Sequence, residues 1–454
     1  MSARLPDRPE DAGRDAGEPL TNSVDPSAAE PAPPGPHRTF GAFRHRYYRW
    51  IWIGALVSTA GTWLQASAVG YIVAEETGDA FLVSLVGFLN FIPTLFLGLI
   101  GGVIADRFDR RRVLIVTQWT ELGLVAVLAI LFAVGWGTLG AIYAITFLLG
   151  ITLAVNGPTY VAFYPTLVPP EDLPSAISMN SMQWNLARVV GPAIGGFVLQ
   201  VAGAAITLGL NSLSFLGTLI PLYRMRPGTR AGNADQSDAT LDATAAQTPA
   251  QTEGTGIAAI RDGFRYVRRH GWVGVVLGAK VIQAAFAAQI ITLLPAYATR
   301  DLGLDAAGNG LLFAAFGLGG ACGALASPHV LTHLDRTRFV PIALAGIGIT
   351  LAGAAFANSL PSALAALFVV GFFYIGGGQV GFSSVIQMGI HDHMRGRVSS
   401  MIFTIFVGVF PLAALGWGVL ADAKSVAFTY VVGGALCVVA ALVIASRPAW
   451  LRDR

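Results

Sequence analysis

Three charges stand inside stretches that are otherwise apolar: Glu121 in "VTQWTELGLV", Arg188 in "MQWNLARVVGP" and Lys280 in "GVVLGAKVIQ". Ionised side chains in such stretches mark proton relays, ligand paths or paired structural ties. Arg188 lies about 14 residues into its stretch, roughly 21 Å along a helix at 1.5 Å per residue. That is too deep for the side chain to reach a polar boundary by extending. Its guanidinium therefore needs an anionic ligand group, a proton-carrying acid, or backbone carbonyls and helix dipoles. Glu121 has two readings: a proton carrier, or an acid near the inner headgroups that pairs with a loop arginine. Lys280 is two turns into its stretch, where it either snorkels inward or lines a central space.

A second kind of chemistry sits at "GGVIADRFDRRRV", residues 101–113. Gly98, Gly101 and Gly102 leave one helix face bare for close packing. Asp106 ends the apolar stretch, and Arg107, Arg110, Arg111 and Arg112 form a tight basic loop. A carboxylate there suits the positive N-terminal end of a neighbouring helix; the neighbour expected is the eleventh apolar stretch, near Arg397, which would make the loop a conformational latch. In "GPAIGG", 191–196, Pro192 removes a helix hydrogen bond and permits a bend, while Gly191, Gly195 and Gly196 let another helix approach. The neutral polar residues Gln65, Asn90, Asn156, Asn185, Gln283 and Gln379 are candidates for ligand contact or for interhelical hydrogen bonds. Trp63 and Tyr374 are among the aromatics that suit a cationic or apolar ligand, or simple packing. "HDH" at 391–393 lacks a fourth metal ligand and reads as a solvated turn. Cys322 and Cys437 read as small core residues.

The elements that must position these groups follow from composition. Of 454 residues, 54% are hydrophobic and 12% charged, where soluble domains run near 25% charged, and mean hydropathy is +0.62. This is an all-α polytopic membrane protein, because a bilayer leaves no partner for backbone groups outside a helix. Twelve spans are expected, near 48–74, 80–105, 113–134, 138–160, 174–200, 204–223, 272–298, 307–331, 339–357, 361–388, 397–421 and 426–446. With both termini cytoplasmic, the inner segments hold 25 of the 29 Lys and Arg residues, as the positive-inside rule requires. Residues 1–40 read as a disordered tail, 41–226 as one six-helix half, 227–270 as a polar linker, and 271–454 as a second half with a short tail. A net charge of +3 gives no sign of nucleic-acid binding.

The halves repeat at an offset of 219 residues: Gly98, Gly101, Gly157, Ser181, Met182 and Pro192 map onto Gly317, Gly320, Gly376, Ser400, Met401 and Pro411. Six-span repeats are the mark of transporters that rock two halves around a central site.

"GGVIADRFDRRRV" resembles the loop motif between spans two and three of the major facilitator superfamily, with Asp109 where many members have Gly. "GTWLQASAVGYIV" (61–73), "YPTLVPPEDLPSAISMNSMQWNLARVVGPAIGG" (164–196) and "HMRGRVSSM" (393–401) resemble its enterobactin exporter and macrolide efflux branch. The resemblance covers roughly residues 40–450. It implies twelve transmembrane helices in two pseudo-symmetric halves, and proton-coupled efflux of a small drug-like or siderophore-like molecule across a bacterial inner membrane by a monomer. It implies neither enzyme activity nor a cofactor, and no GxxxxGK[ST] phosphate loop is present to use ATP. On this reading Arg188 and the polar residues named above contact the cargo, Glu121 carries the proton, and Asp106, the loop arginines and Arg397 gate. A metabolite importer on the same fold and a transport-inactive sensor or scaffold are the alternatives.

Overall fold

The computed structural model describes residues 40–225, 265, 267–268, 270–390 and 392–451, without the side chains at 392, 393, 395–397, 399, 400 and 403. The expected tail (1–40) and linker (227–270) thus fall almost wholly outside the described residues, as do the side chain of Arg397 and the "HDH" turn. Among the described residues every regular element is helical.

The first helices are α1 (Arg46–Thr77), α2 (Ala80–Arg107), α3 (Arg110–Ala133), α4 (Leu139–Phe163), α5 (Leu173–Ser214) and α6 (Leu216–Arg224). The second group is α7 (Gly271–Thr292), α8 (Ala306–His333), α9 (Arg336–Ala354), α10 (Leu360–Gly389), α11 (Asp392–Ala423) and α12 (Val426–Ala445). Local chemistry sets many of the starts. Asp79, Asp109, Thr138, Asp305, Asp335 and Ser425 each precede a helix and accept one of its free backbone N–H groups, the usual work of an N-cap. Among the described residues, ten helical segments are long and apolar enough to cross a membrane. Their outward faces carry exposed side chains such as Phe96, Leu99 and Leu325.

One of the ten, Pro170–Arg224, holds two rods. It breaks at Gly203, whose φ of 78° is open to glycine at little cost. The partners along α1 establish that the chain reverses there. Before the break they ascend together: Gln183 meets Ala55 and Thr59, and Gly191 and Gly195 meet Ala60 and Leu64. After it they run the other way: Asn211 bonds Gln65, while Ser214 and Gly217 face Gly61 and Gly54.

The repeat has a structural counterpart. Gly101 of α2 lies against the α4 backbone at Ala154, and Gly320 of α8 lies against Ile375 of α10. The space beside Gly102 is open, and Gly98 has only Thr94 of its own helix nearby, so close packing uses Gly101 alone of the three.

The two groups of helices meet toward the end remote from the 106–112 loop. There α5 lies on α8, with Gly196 and Gly310 backbone to backbone and Gly317 against the Arg188 carbonyl. Likewise α2 lies on α11, from Phe81 and Gly418 to Leu95 and Gly408. Inside α10, Phe372–Gly381 is wound as a π-helix, whose i→i+5 pattern is rare and frequent at functional sites.

Candidate functional site

The seam between the groups carries Arg188 near mid-helix. Its guanidinium carbon stands 4.9 Å from the centroid of the Trp63 ring on α1, a cation–π distance. Its Nε is buried without a hydrogen-bond partner. From the other side Tyr374 of α10, 1% exposed, presents a buried hydroxyl that is also unpaired. The same turn of α8 separates the two residues: Phe316 packs on Tyr374 with 5.7 Å between ring centroids, and Gly317 abuts Arg188.

Glu121 is enclosed within the first group. Its carboxylate accepts from Gln118 Nε2 at 2.7 Å and from Asn156 Nδ2 at 2.9 Å. The Ser58 hydroxyl, 3.5 Å from Gln118 Oε1, extends the network to α1. Pairing with a loop arginine is not what the chain does: among the described residues Glu121 has two amides and no cation. The loop arginines are used elsewhere. Arg110 donates to the Ala105 and Ala162 carbonyls, and Arg111 to those of Leu222 and Tyr223. They tie the carbonyl ends of α4 and α6, where cations suit the helix dipole.

Lys280 does not snorkel. Its ammonium, on a residue 6% exposed, donates to the Gln379 carbonyl at 3.0 Å and lies 3.5 Å from Gln379 Oε1. Gln283 donates to the Tyr374 carbonyl at 2.8 Å and Ser327 to that of Gly376 at 2.5 Å. Three side chains from α7 and α8 thus satisfy carbonyls of the π-wound stretch.

The remaining sequence candidates separate by their partners. Gln65 is consumed by Asn211 at 2.6 Å, Gln283 by α10 and Asn156 by Glu121. In this structure these three tie helices together. Asn185 donates to the Ser181 carbonyl on its own helix. Asn90 is half-buried beside Phe91, which packs edge-on against Phe406 and Phe410 of α11. Asp106 is 63% exposed with an ionic partner, Arg110, at 4.0 Å; the Arg397 side chain expected near it lies outside the described residues. Arg107 and Arg112 are exposed.

Sequence reasoning missed the far-end seal. Asp422, near the end of α11, accepts the Ala80 and Phe81 N–H groups at 2.8 Å each, and Arg300 Nη1 bonds it at 2.5 Å. Gln200 accepts from Ala306 N, and Asn309 donates to Ser67. Reading also missed a second copy of the basic loop. "LDRTRFV" from Leu334 parallels "FDRRRVL" from Phe108 at an offset of 226, seven more than the repeat that was traced. Both aspartates cap the next helix, and Arg336 donates to the Leu451 carbonyl while stacking over Trp272 at 4.4 Å.

Two helical groups, sealed at one end around a seam with a mid-depth cation, define a transporter of the major facilitator type. Over residues 37–450 the chain matches the major facilitator family described as transmembrane secretion effector, and it belongs to that family. It is 27% identical over 396 residues to the multidrug efflux pump Tap of Mycolicibacterium fortuitum, covering 84% of this chain and 90% of that one. With the enterobactin exporter EntS of Shigella boydii it shares 28% identity, over 64% of this chain and 65% of the relative. Its fold is that of the peptide transporter POT, with a TM-score of 0.69 at 14% identity over 89% and 94% of the two chains. The chain is therefore a multi-pass membrane transporter and not an enzyme.

Proposed function

We propose that the chain exports a small organic molecule in exchange for protons, with the 106–112 loop and both termini cytoplasmic in a bacterial inner membrane, and with all twelve helices crossing. The observation that carries the proton coupling is Glu121, a buried carboxylate held by two amides and no cation. An amide pair can turn to follow either protonation state, which a fixed arginine partner would oppose. The direction is supported by the relatives, a multidrug efflux pump and an enterobactin exporter. Alternating access follows from the two ends. Asp422 and Arg300 hold the far end shut, while Asp106 stands exposed with Arg110 4.0 Å away; closure of the basic end would bring Asp106 to the start of α11 near Arg397, and the seal would release. Arg188 is the cargo contact, and the protein works as a monomer.

Accumulation of a dye, antibiotic and siderophore panel in an efflux-deficient bacterium tests this. Export predicts lower accumulation with the chain than without it, and loss of that difference on adding a protonophore or with Glu121→Gln. Higher accumulation, driven by the proton gradient, would make it an importer. No change across the panel, together with a stable protein partner, would favour a sensor.

A further inference from the structure

The polar groups in the seam define what the cargo must offer, an inference that rests on the transport reading above. Arg188 and Tyr374 approach from opposite groups of helices and flank one turn of α8. Both carry buried polar atoms with no hydrogen-bond partner. The terminal nitrogens of Arg188 are not among the buried atoms, and among the described residues no acceptor takes them and no carboxylate pairs with them. The surrounding polar groups are already engaged: Gln283 on the Tyr374 carbonyl, Lys280 on Gln379.

A guanidinium is donor-only, and a tyrosine hydroxyl can donate. An unpaired guanidinium fits a negatively charged oxygen group. A charged side chain at such depth is costly unless it is paired, and a planar guanidinium takes a carboxylate with two parallel bonds. The Trp63 ring holds the guanidinium in place without neutralising it. A cationic cargo would meet Arg188 with no acceptor to receive it.

We propose that the cargo is a small organic anion, its carboxylate or acidic phenolate held by the terminal nitrogens of Arg188, with the Trp63 ring behind the guanidinium. Equilibrium dialysis of the full-length chain in nanodiscs tests this with three probes of one shape: 1-naphthoate, 1-naphthamide and 1-naphthylmethylammonium. Naphthoate is expected to bind about tenfold tighter than the amide, the ratio set by one charge-assisted hydrogen bond, and the ammonium weakest. Arg188→Gln should erase the preference and Arg188→Lys restore part of it. Equal binding of the three probes, or preference for the ammonium, would overturn the proposal. So would a wider set of aryl and alkyl acids and phenols in which no anion bound tighter than its neutral analogue. Export in cells is scored separately. Outward movement of cations would sink the anion site and leave the transporter reading standing, whereas a chain that moves nothing would sink both.

Discussion

Glu121 in the first group of helices and Lys280 in the second are buried to a similar degree, 8% and 6% exposed, yet they are held differently. Glu121 meets side chains, the amides of Gln118 and Asn156. Lys280 meets backbone first, the Gln379 carbonyl of a π-wound stretch. Side-chain amides turn; a helix carbonyl does not. On the proposed reading, the contrast gives a switching task to the acid and a fastening task to the base, even though both are lone charges at similar depth. It also sets a rule for reading such chains: the partner, more than the charge, separates a proton site from a structural tie.

The largest effect expected is from Glu121→Gln. The amide keeps the size and bonding of the site but cannot be charged, so proton-driven transport should be lost while substrate–substrate exchange across proteoliposomes persists. Retained proton-driven transport would break the comparison at its stronger end. Lys280→Met should do the reverse. It removes the ammonium's hydrogen bond to the Gln379 carbonyl, which keeps the Ser383 hydroxyl at 2.7 Å, a loss of about 1 kcal/mol, seen as a lower Tm in detergent with proton coupling intact. A Lys280→Met protein of normal Tm that no longer couples to protons would erase the distinction between the two charges. Asp422→Asn sharpens the comparison at the ends of the molecule. With two helix N–H groups and Arg300 less well satisfied, thiol labelling at an introduced far-end cysteine, in a background with Cys322 and Cys437 replaced, should speed up several-fold. The smallest effect is from Asp109→Ala, the loss of one N-cap, about 0.5–2 kcal/mol, which should lower Tm and leave coupling untouched. The equivalent change at Asp335 should match it if the two basic loops are true counterparts.

The helices were legible from apolar content alone; their caps, Asp79, Asp109, Thr138 and Asp335, went unread although each stands beside the N–H group it accepts. Glu121, Arg188 and Lys280 were legible as lone charges in apolar runs. Their partners were not, because Asn156, Trp63 and Gln379 lie 35, 125 and 99 positions away and only packing brings them near. Tyr374 looked like any packing aromatic, since an unpaired hydroxyl is a property of its surroundings. The seal at Asp422 was hidden for the same reason. A carboxylate capping a helix 342 positions away leaves no local trace. The second basic loop was written in the sequence, but an added seven residues moved it out of the repeat's register.

The glycine contact between α5 and α8 has a mechanical consequence. Gly196 and Gly310 touch through backbone alone, so once the bond from Ala306 N to Gln200 releases the joint at that point behaves as a bearing. From Gly317, the last of these contacts, to the end of α8 is a lever arm of about 24 Å at 1.5 Å per residue. A rotation of about 15°, the size seen when subunits turn on an interface, would carry that tip about 6 Å. The seam would scarcely shift, while the mouth beside the basic loops would close by more than a helix turn.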